Sequence, residues 1–317
     1  MRQFLKSLSL CGLAVASVFP AASAHANELG DTWNLIWADE FNGTALDQDK
    51  WHYEDDCWGG GNEERQCYTQ KTENVEIANG LLTIRAIKQK TRGFANTRAA
   101  RDGEVSLAPG TKRYARVRRP FSSGRIVSRG KGDWTYGRFE ARMKLPTGQG
   151  LWPAFWMLPS DYAYGGWAAS GEIDIMEAIN LGMTCETCEG GREDRVYGTL
   201  HYGGRWPDNE YSGANVPVPA PVDGFHTYTV EWSAGRMDWY VDGVHYSTKT
   251  QDQWHTDNVK GTPGSDAPFD RPFHLIFNLA VGGNWPEGEN DVGFFATDFP
   301  KEMVVDWVRV YQCATDP

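Results

Sequence analysis

The sequence predicts an all-β protein, built from two packed antiparallel sheets or from a barrel, and three observations predict this fold class. Apolar and polar residues alternate with a period of two along several short segments, as in half-buried strands. Gly, Asn and Asp residues separate these segments, as in hairpin turns. The 317 residues include 35 Gly, 14 Trp, 13 Tyr and 14 Phe, an aromatic, turn-rich composition that does not suit a helix bundle.

The strand pattern is clearest in four segments. Residues 75–84 carry alternating apolar residues on either side of Asn79-Gly80, a dipeptide that favours a tight hairpin turn. Residues 138–145 alternate charged and apolar side chains, which predicts a half-buried strand. Residues 228–241 predict two strands joined at Ala234-Gly235, and Asp242-Gly243 follows as a second turn. Residues 304–311 are apolar on both faces, which predicts a strand inside a sheet, with Val304, Val308 and Val310 on one side and Val305 on the other.

The N-terminus has the pattern of a secretory signal peptide. Arg2 and Lys6 precede an apolar stretch over residues 8–19, which is too short to cross a bilayer, and Ala24-His25-Ala26 resembles a cleavage site. We therefore predict a signal peptide over residues 1–26 and export to the extracellular space or the periplasm. Residues 27–317 contain neither an internal repeat nor a Pro- or Ser-rich linker, so we predict a single catalytic domain.

Charge and cysteine content narrow the possibilities further. The formal net charge of −11 disfavours a nucleic-acid-binding protein. We also expect a monomer with no membrane partner. Five cysteines follow the predicted cleavage site, namely Cys57, Cys67, Cys185, Cys188 and Cys313. In an exported protein they favour disulfides, with Cys57–Cys67 as the first expected pair and one thiol left over. For the Cys185/Cys188 pair a disulfide is favoured over a metal site.

The strongest chemical signal is the segment GEIDIMEA at residues 171–178. In a regular strand Glu172 and Asp174 share one face and Glu177 lies on the other, but a one-residue bulge around Ile175-Met176 returns Glu177 to the first face. Crowded carboxyls titrate apart, leaving one protonated and another ionised. Retaining glycoside hydrolysis requires such a pair about 5–5.5 Å apart, on a surface curved enough to bring the two side chains together. The alternative is a solvated strand face without catalytic function.

Aromatic motifs surround this segment and favour a carbohydrate substrate. They are GLWPAFWMLP at 150–159, YGGW at 164–167, HYGG at 201–204 and GGNW at 282–285. Aromatic faces beside polar groups suit sugar rings, although about half of these residues should pack in the core. Phe155 and Trp156 should point to opposite faces of their strand, so we expect one of them to be buried.

Together these residues resemble glycoside hydrolase family 16, laminarinase type, the endo-β-1,3-glucanases. The resemblance also includes WADEFNG at 37–43, GNEE at 61–64, SGRI at 123–126, NLAVGGNWP at 278–286 and the closing strand at 304–311. It implies a β-jelly-roll sandwich of two antiparallel sheets with a concave substrate cleft. It also implies a double-displacement mechanism with Glu172 as nucleophile, Glu177 as acid/base and Asp174 as hydrogen-bonding partner of the nucleophile.

The same resemblance implies further sites. The substrate-binding positions are Asn62, Arg125, Trp152, Trp156, Trp167, His201 and Trp285. For His201, a buried, hydrogen-bonded structural role is the equal alternative. Glu40, Gly80 and Asp306 match a structural Ca²⁺ site away from the cleft, and no cofactor is expected for catalysis. Residues 62–68 depart from the common family pattern, and residues 85–119 and 181–193 are non-standard segments.

Competing functions remain open from the sequence. Residues 85–119 contain 11 Lys and Arg, which either form a solvated insertion or contact an anionic galactan of the agar or carrageenan type. A non-catalytic glucan-binding protein is a further alternative, although such family members lack the catalytic glutamates. Transglycosylation is also possible, because a second sugar can intercept a covalent sugar intermediate.

Overall fold

The computed structural model describes residues 33–104, 106–258, 265–289 and 298–313. The predicted signal peptide and its cleavage site lie outside the described residues, so both stay predictions. Within the described ranges, no helix has the length and apolar character needed to cross a membrane.

The described residues form twenty strands and two short helices. The strands are β1 (Trp33–Asp39), β2 (His52–Tyr53), β3 (Gln66–Tyr68), β4 (Val75–Ala78), β5 (Leu81–Ala86), β6 (Thr91–Phe94), β7 (Arg116–Arg119), β8 (Phe121–Ser123), β9 (Arg125–Val127), β10 (Asp133–Trp134), β11 (Gly137–Lys144), β12 (Leu151–Pro159), β13 (Glu172–Glu177), β14 (Arg195–Gly203), β15 (Asn209–Pro217), β16 (Phe225–Ser233), β17 (Arg236–Val241), β18 (Val244–Thr250), β19 (Phe273–Val281) and β20 (Lys301–Cys313). The helices are α1 (Arg98–Asp102) and α2 (Asn284–Gly288).

Two large antiparallel sheets contain most of these strands. The first has the order β18-β17-β16-β11-β20-β5-β4, and β1 pairs with β20. The second has the order β15-β14-β13-β12-β19-β9-β2, and β10 pairs with β19. Two small ribbons, β3–β8 and β6–β7, stand apart. The apolar faces of the two large sheets form one core, which confirms the predicted all-β sandwich.

The hairpin predictions are confirmed by backbone geometry. Asn79 and Gly80 have φ of 55° and 75°, and Asp242 and Gly243 have φ of 49° and 75°. Two successive positive φ angles are the conformation that joins twisted antiparallel strands over two residues. The turns therefore fix the β4–β5 and β17–β18 registers.

The closing strand is internal, as predicted, but the assignment of its faces was wrong. β20 pairs with β1, β5 and β11. Against β11 the register shifts, because Arg142 pairs with Trp307 whereas Met143 pairs with Val305. The shift leaves Asp306 without a partner on β11 and turns Val305 toward the core together with Val308 and Val310.

β11 departs from the predicted half-buried pattern on its charged face. Its apolar residues lie in the core, but Arg138 and Glu140 are only 8% and 6% exposed. Arg138 Nη2 lies 2.8 Å from Glu140 Oε2, and its guanidinium also pairs with Glu231 on β16. Burial of these charges is tolerated because each one has a partner of opposite sign.

The aromatic and cysteine predictions agree with the structure. Phe155 is buried and stacks on Phe277 with 4.6 Å between ring centroids. Trp156 lies on the opposite face of β12 and is half-buried. Disulfides join Cys57 to Cys67 and Cys185 to Cys188. Cys313 belongs to neither disulfide and is buried.

Candidate active site

A β-bulge in β13 places three carboxylates on one face of the second sheet. Against β12, Phe155 pairs with Met176 and Trp156 pairs with Asp174, which leaves Ile175 without a partner. Against β14 the register also shifts between Asp174 and Glu177. The predicted bulge is therefore confirmed, and it returns Glu177 to the face of Asp174.

That face is the one turned away from the core, and we call it the cleft face. Ile173 pairs with Leu200 of β14, and both side chains lie in the hydrophobic core. Glu172 pairs with His201, so their side chains lie on the opposite side of the sheet. The strand register alone therefore brings His201 beside the carboxylates.

Two neighbouring rings border Glu172 and Asp174, and one of them donates a hydrogen bond to Glu172. The Trp167 indole Nε1 donates to Glu172 Oε2 at 2.8 Å. His201 Nε2 lies 3.7 Å from Glu172 Oε1 and 3.3 Å from Asp174 Oδ2. The backbone carbonyl of Asp174 accepts from Trp239 Nε1 at 3.0 Å, which anchors the bulge to the core.

Glu177 has an indole donor of its own. Trp152 Nε1 donates to Glu177 Oε1 at 2.8 Å. The ring of Trp152 meets Trp285 edge to face at 5.3 Å, and Trp285 also meets Tyr197 at 5.0 Å. The side of Glu177 is therefore bordered by an aromatic wall.

Burial dominates the electrostatics of the three acids. It raises the pKa of Glu172 to about 8, with the charge of Asp174 adding to the rise and His201 opposing it. Burial likewise raises the pKa of Glu177 to about 8, again with Asp174 adding and His201 opposing. Burial also holds the pKa of Asp174 well above its ordinary value. The three acids therefore retain protons at neutral pH. When one of them loses its proton, an ionised carboxylate lies beside a protonated carboxyl.

Arg125 and Trp156 form a second cluster farther along the cleft face. The Arg125 guanidinium lies 4.9 Å from the centre of the Trp156 ring, whose Nε1 donates to Asn278 Oδ1 at 2.7 Å. Burial lowers the pKa of the Arg125 guanidinium, but the nearby groups Tyr68, Glu54 and Asp56 raise it above its ordinary value. Arg125 and Trp156 thus place a cation beside an aromatic ring on the cleft face.

Asn62 lies on a loop that is joined to the segment of Trp285. The Asn62 carbonyl accepts from the backbone N–H of Asn284 at 2.8 Å. Arg65, at a position where the sequence departs from the family pattern, bonds both carboxylate oxygens of Glu287 at 2.8 and 2.7 Å. The loop of Asn62 and helix α2 therefore fix each other at one end of the cleft face.

Comparison with known proteins identifies the family. The family model described as "Beta-porphyranase A-D, GH16 domain" matches residues 33–313. The chain belongs to glycoside hydrolase family 16.

Relatives and solved structures agree with this family. "Glucan endo-1,3-beta-glucosidase A1" of Niallia circulans is 42% identical over 290 residues, which cover 88% of this chain and 38% of that protein. "Beta-glucanase" of Rhodothermus marinus is 38% identical over 295 residues, covering 88% and 85%. The X-ray structure of the laminarinase from Rhodothermus marinus has a TM-score of 0.68 at 35% identity and covers 89% of this chain and 98% of its own. The predicted jelly roll and the glycoside hydrolase class are thereby confirmed.

Several residues around the candidate active site were not predicted as site residues from the sequence. They are Glu64, Tyr197, Tyr211, Trp239 and Asn278. The period of two from His201 along β14 predicts Tyr197 on the cleft face and could have found it. Buried Glu64 accepts from Gln66 Nε2 at 2.6 Å, and its place within the GNEE motif was the available signal. Asn278 begins the NLAVGGNWP motif, which was its available signal, whereas Tyr211 and Trp239 depend on strand pairing and had no local signal.

Metal ligation is possible at two groups among the described residues. Cys185, Cys188 and Glu193 are one group, but its cysteines form a disulfide and so offer no thiolates. The other group is Glu172, Asp174 and His201, the candidate catalytic cluster itself.

The predicted calcium residues lie around β20 but have other partners. Glu40 follows β1 and Gly80 lies in the β4–β5 turn, and β20, which contains Asp306, pairs with β1 and β5. Both Glu40 side-chain oxygens accept from Arg309, at 2.8 and 3.1 Å, and Asp306 Oδ2 pairs with Arg142. These residues fit Ca²⁺ only through backbone carbonyls and Asp306 Oδ1, oxygen donors of the kind that calcium prefers. The calcium site stays a prediction.

Proposed function

We propose that the mature chain is an exported endo-β-1,3-glucanase that cleaves laminarin-like glucans with retention of configuration. The observation that carries this proposal is the bulge that puts Glu172 and Glu177 on one face, each with a tryptophan indole donor. The relative named as a glucan endo-1,3-beta-glucosidase and the similar laminarinase structure support the substrate. The N-terminal sequence pattern supports export.

In the first step Glu177 acts as the acid. Its carboxyl gives a proton to the glycosidic oxygen while the ionised Glu172 attacks the anomeric carbon. The bond to the leaving sugar breaks, and a glycosyl ester with Glu172 forms. His201 Nε2 lies 3.7 Å from Glu172 Oε1, and its interaction with Glu172 lowers the pKa of that carboxyl, which favours the ionised nucleophile.

In the second step the same groups hydrolyse the ester. Glu177, now a carboxylate, accepts a proton from water, and the water oxygen attacks the anomeric carbon and displaces Glu172. Two inversions give net retention. Trp152 holds Glu177 through both steps, because its indole N–H can donate to either protonation state.

Mutation of the nucleophile tests this function. Glu172→Ala should abolish the release of reducing sugar from laminarin while the thermal midpoint shows a folded protein. The matched control is Glu189→Ala, since the Glu189 side chain is 92% exposed and lies outside the carboxylate segment. Full activity of Glu172→Ala would contradict the proposal. Binding of laminarin by the unmodified protein without turnover would favour the glucan-binding alternative.

A second candidate substrate is an anionic galactan, and the β6–β7 ribbon favours it. Arg92 and Arg118 lie directly opposite each other in this ribbon, and both are exposed. Like charges in register destabilise a ribbon unless an anion lies between them. The porphyranase description of the family model agrees with this candidate. Other basic residues of the segment have internal partners, since Arg98 and Arg101 pair with Asp55.

The two substrates are separated by comparing rates on laminarin and on a sulfated galactan. An endo-β-1,3-glucanase cuts the first and leaves the second intact. Turnover of the sulfated polymer that falls in an Arg92→Gln/Arg118→Gln variant would favour the second candidate.

A further inference from the structure

Two exposed aromatic side chains lie beyond the nucleophile at the edge of the second sheet. Tyr211 of β15 is 72% exposed, and Trp206, in the β14–β15 connection, is 75% exposed. Single exposed aromatics are common on protein surfaces and need no function. These two differ from scattered ones because Tyr211 lies beside His201 and the backbone of Trp206 is bonded to Trp167.

Tyr211 lies on the cleft face, in line with the nucleophile. Glu172 pairs with His201 across β13–β14, and His201 pairs with Tyr211 across β14–β15. Residues paired in antiparallel strands point to the same side of the sheet. Val216, an odd number of residues farther along β15, packs against the core, as the opposite face requires. Tyr211 is therefore two strand spacings, about 10 Å, from Glu172.

Aromatic rings connect the two positions without a gap. The Trp167 ring, whose indole bonds Glu172, lies 5.5 Å from the His201 ring at an angle of 42°. The His201 ring in turn lies 5.9 Å from the Tyr211 ring at 37°. A polysaccharide that leaves the nucleophile in this direction passes over His201 and meets the exposed face of Tyr211.

The loop of Trp206 is fastened to the same place. The backbone N–H of Trp206 donates to the carbonyl of Trp167 at 3.3 Å, and that of Ala168 donates to the carbonyl of Gly204 at 3.2 Å. Trp206 is thus carried by a loop tied to the segment that holds Glu172. Ordered backbone support lowers the entropy cost of presenting a ring to a ligand.

The charged groups at this edge suit a neutral ligand. Exposed Asp208 and Asp257 lie at the β14–β15 connection, together with exposed Arg205. Charges of both signs give no net attraction for a sulfated or uronic sugar, and these side chains can form hydrogen bonds with hydroxyl groups. Rings flanked by hydroxyl acceptors suit a neutral pyranose, whose C–H face stacks and whose edge carries hydroxyls.

We propose that Tyr211 and Trp206 form a distal subsite that binds a neutral sugar of the polysaccharide being cut. The inference rests on the proposed glycan hydrolysis and extends it to a preference for long chains. β15 is the edge strand of its sheet, so this subsite is the outermost on that side. Oligosaccharides that are too short to reach this subsite do not contact the two rings, so the rings do not increase their binding.

The test measures kcat/KM on laminari-oligosaccharides of increasing length for the unmodified protein and for Tyr211→Ala. The variant should lose roughly tenfold on the longest substrates, the scale of one lost aromatic stack, and nothing on the shortest one cut. Tyr211→Phe keeps the ring and should keep the length dependence. Tyr114→Ala is the control, since Tyr114 is 65% exposed and lies in the basic segment.

The outcomes separate the subsite from the proposed function. An equal loss at every length, or no loss at any length, overturns the subsite. Failure of the unmodified protein to cut laminarin contradicts the β-1,3-glucanase proposal alone. The kcat/KM measurements on substrates of increasing length are then made with the neutral polysaccharide that the protein does cut. There, too, an equal loss at every length or no loss at any length overturns the subsite.

Discussion

Replacing Glu177 by Gln should stabilise the protein at alkaline pH and leave its stability unchanged at acid pH. The carboxyl is buried beside Asp174, and burial raises its pKa from 4.5 to about 8. In the unfolded chain the group ionises near its ordinary pKa, so between about pH 4.5 and 8 the folded state binds more protons than the unfolded state. Stability therefore falls as pH rises through this window. Gln keeps the shape and the acceptor for Trp152 and removes the titration.

The size of the effect follows from the pKa. One unit of pKa corresponds to about 1.4 kcal/mol. The pKa of Glu177 is about 8 in the folded state against 4.5 in the unfolded chain. The stabilisation by Glu177→Gln therefore has an upper limit of about 5 kcal/mol above pH 8 and is about zero below pH 4.5. At about 2 °C for each kcal/mol, the thermal midpoint of Glu177→Gln should exceed that of the unmodified protein by up to about 10 °C at about pH 9.

Calorimetry of both proteins from about pH 5 to about pH 9 measures this difference. Glu189→Gln, at an exposed position, is the control and should show no pH-dependent difference. Equal midpoints for Glu177→Gln and the unmodified protein at about pH 9 would refute the inference that burial disfavours the ionised carboxylate.

Three further predictions concern the site and its surroundings. Trp152→Phe removes the indole bond that lowers the pKa of Glu177, so the alkaline limb of kcat/KM on laminarin should move to higher pH; an unmoved limb would contradict it. Arg125→Met removes a cation that lowers the pKa of both Glu54 and Asp56 and should lower the free energy of unfolding by about 3 kcal/mol. That loss should be larger at about pH 8 than at about pH 5, because more of these acids are then ionised; urea titrations at both pH values measure it, and a pH-independent loss would count against the charge explanation. EDTA should lower the thermal midpoint and added Ca²⁺ should restore it, whereas an unchanged midpoint would remove the calcium prediction.

Local sequence was sufficient where a feature depends on neighbouring residues alone. The Asn79-Gly80 turn follows from the φ angles that these residues tolerate. The bulge in β13 follows from the need to keep Glu177 out of the core while Met176 enters it. In both cases the deciding residues lie within a few positions of each other.

Features that depend on pairing between distant segments were not predictable in the same way. The bulge at Asp306 left no signal, since its strand is apolar on both faces. The buried pair of Arg138 and Glu140 needs Glu231, which another strand supplies. The sequence indicated Trp152 and Trp167 as sugar platforms, but their role as donors to the carboxylates depends on ring orientations set by packing.

Azide rescue tests most directly whether Glu172 and Glu177 serve one linkage in the two assigned roles. Azide should restore turnover to Glu172→Ala by attacking the anomeric carbon directly, giving the α-glycosyl azide by a single inversion. On an aryl β-glycoside of a laminari-oligosaccharide, whose phenolate leaves without an acid, azide should restore turnover to Glu177→Ala by attacking the ester with Glu172, giving the β-glycosyl azide. The same azide anomer from both variants, or rescue of neither, would contradict the account.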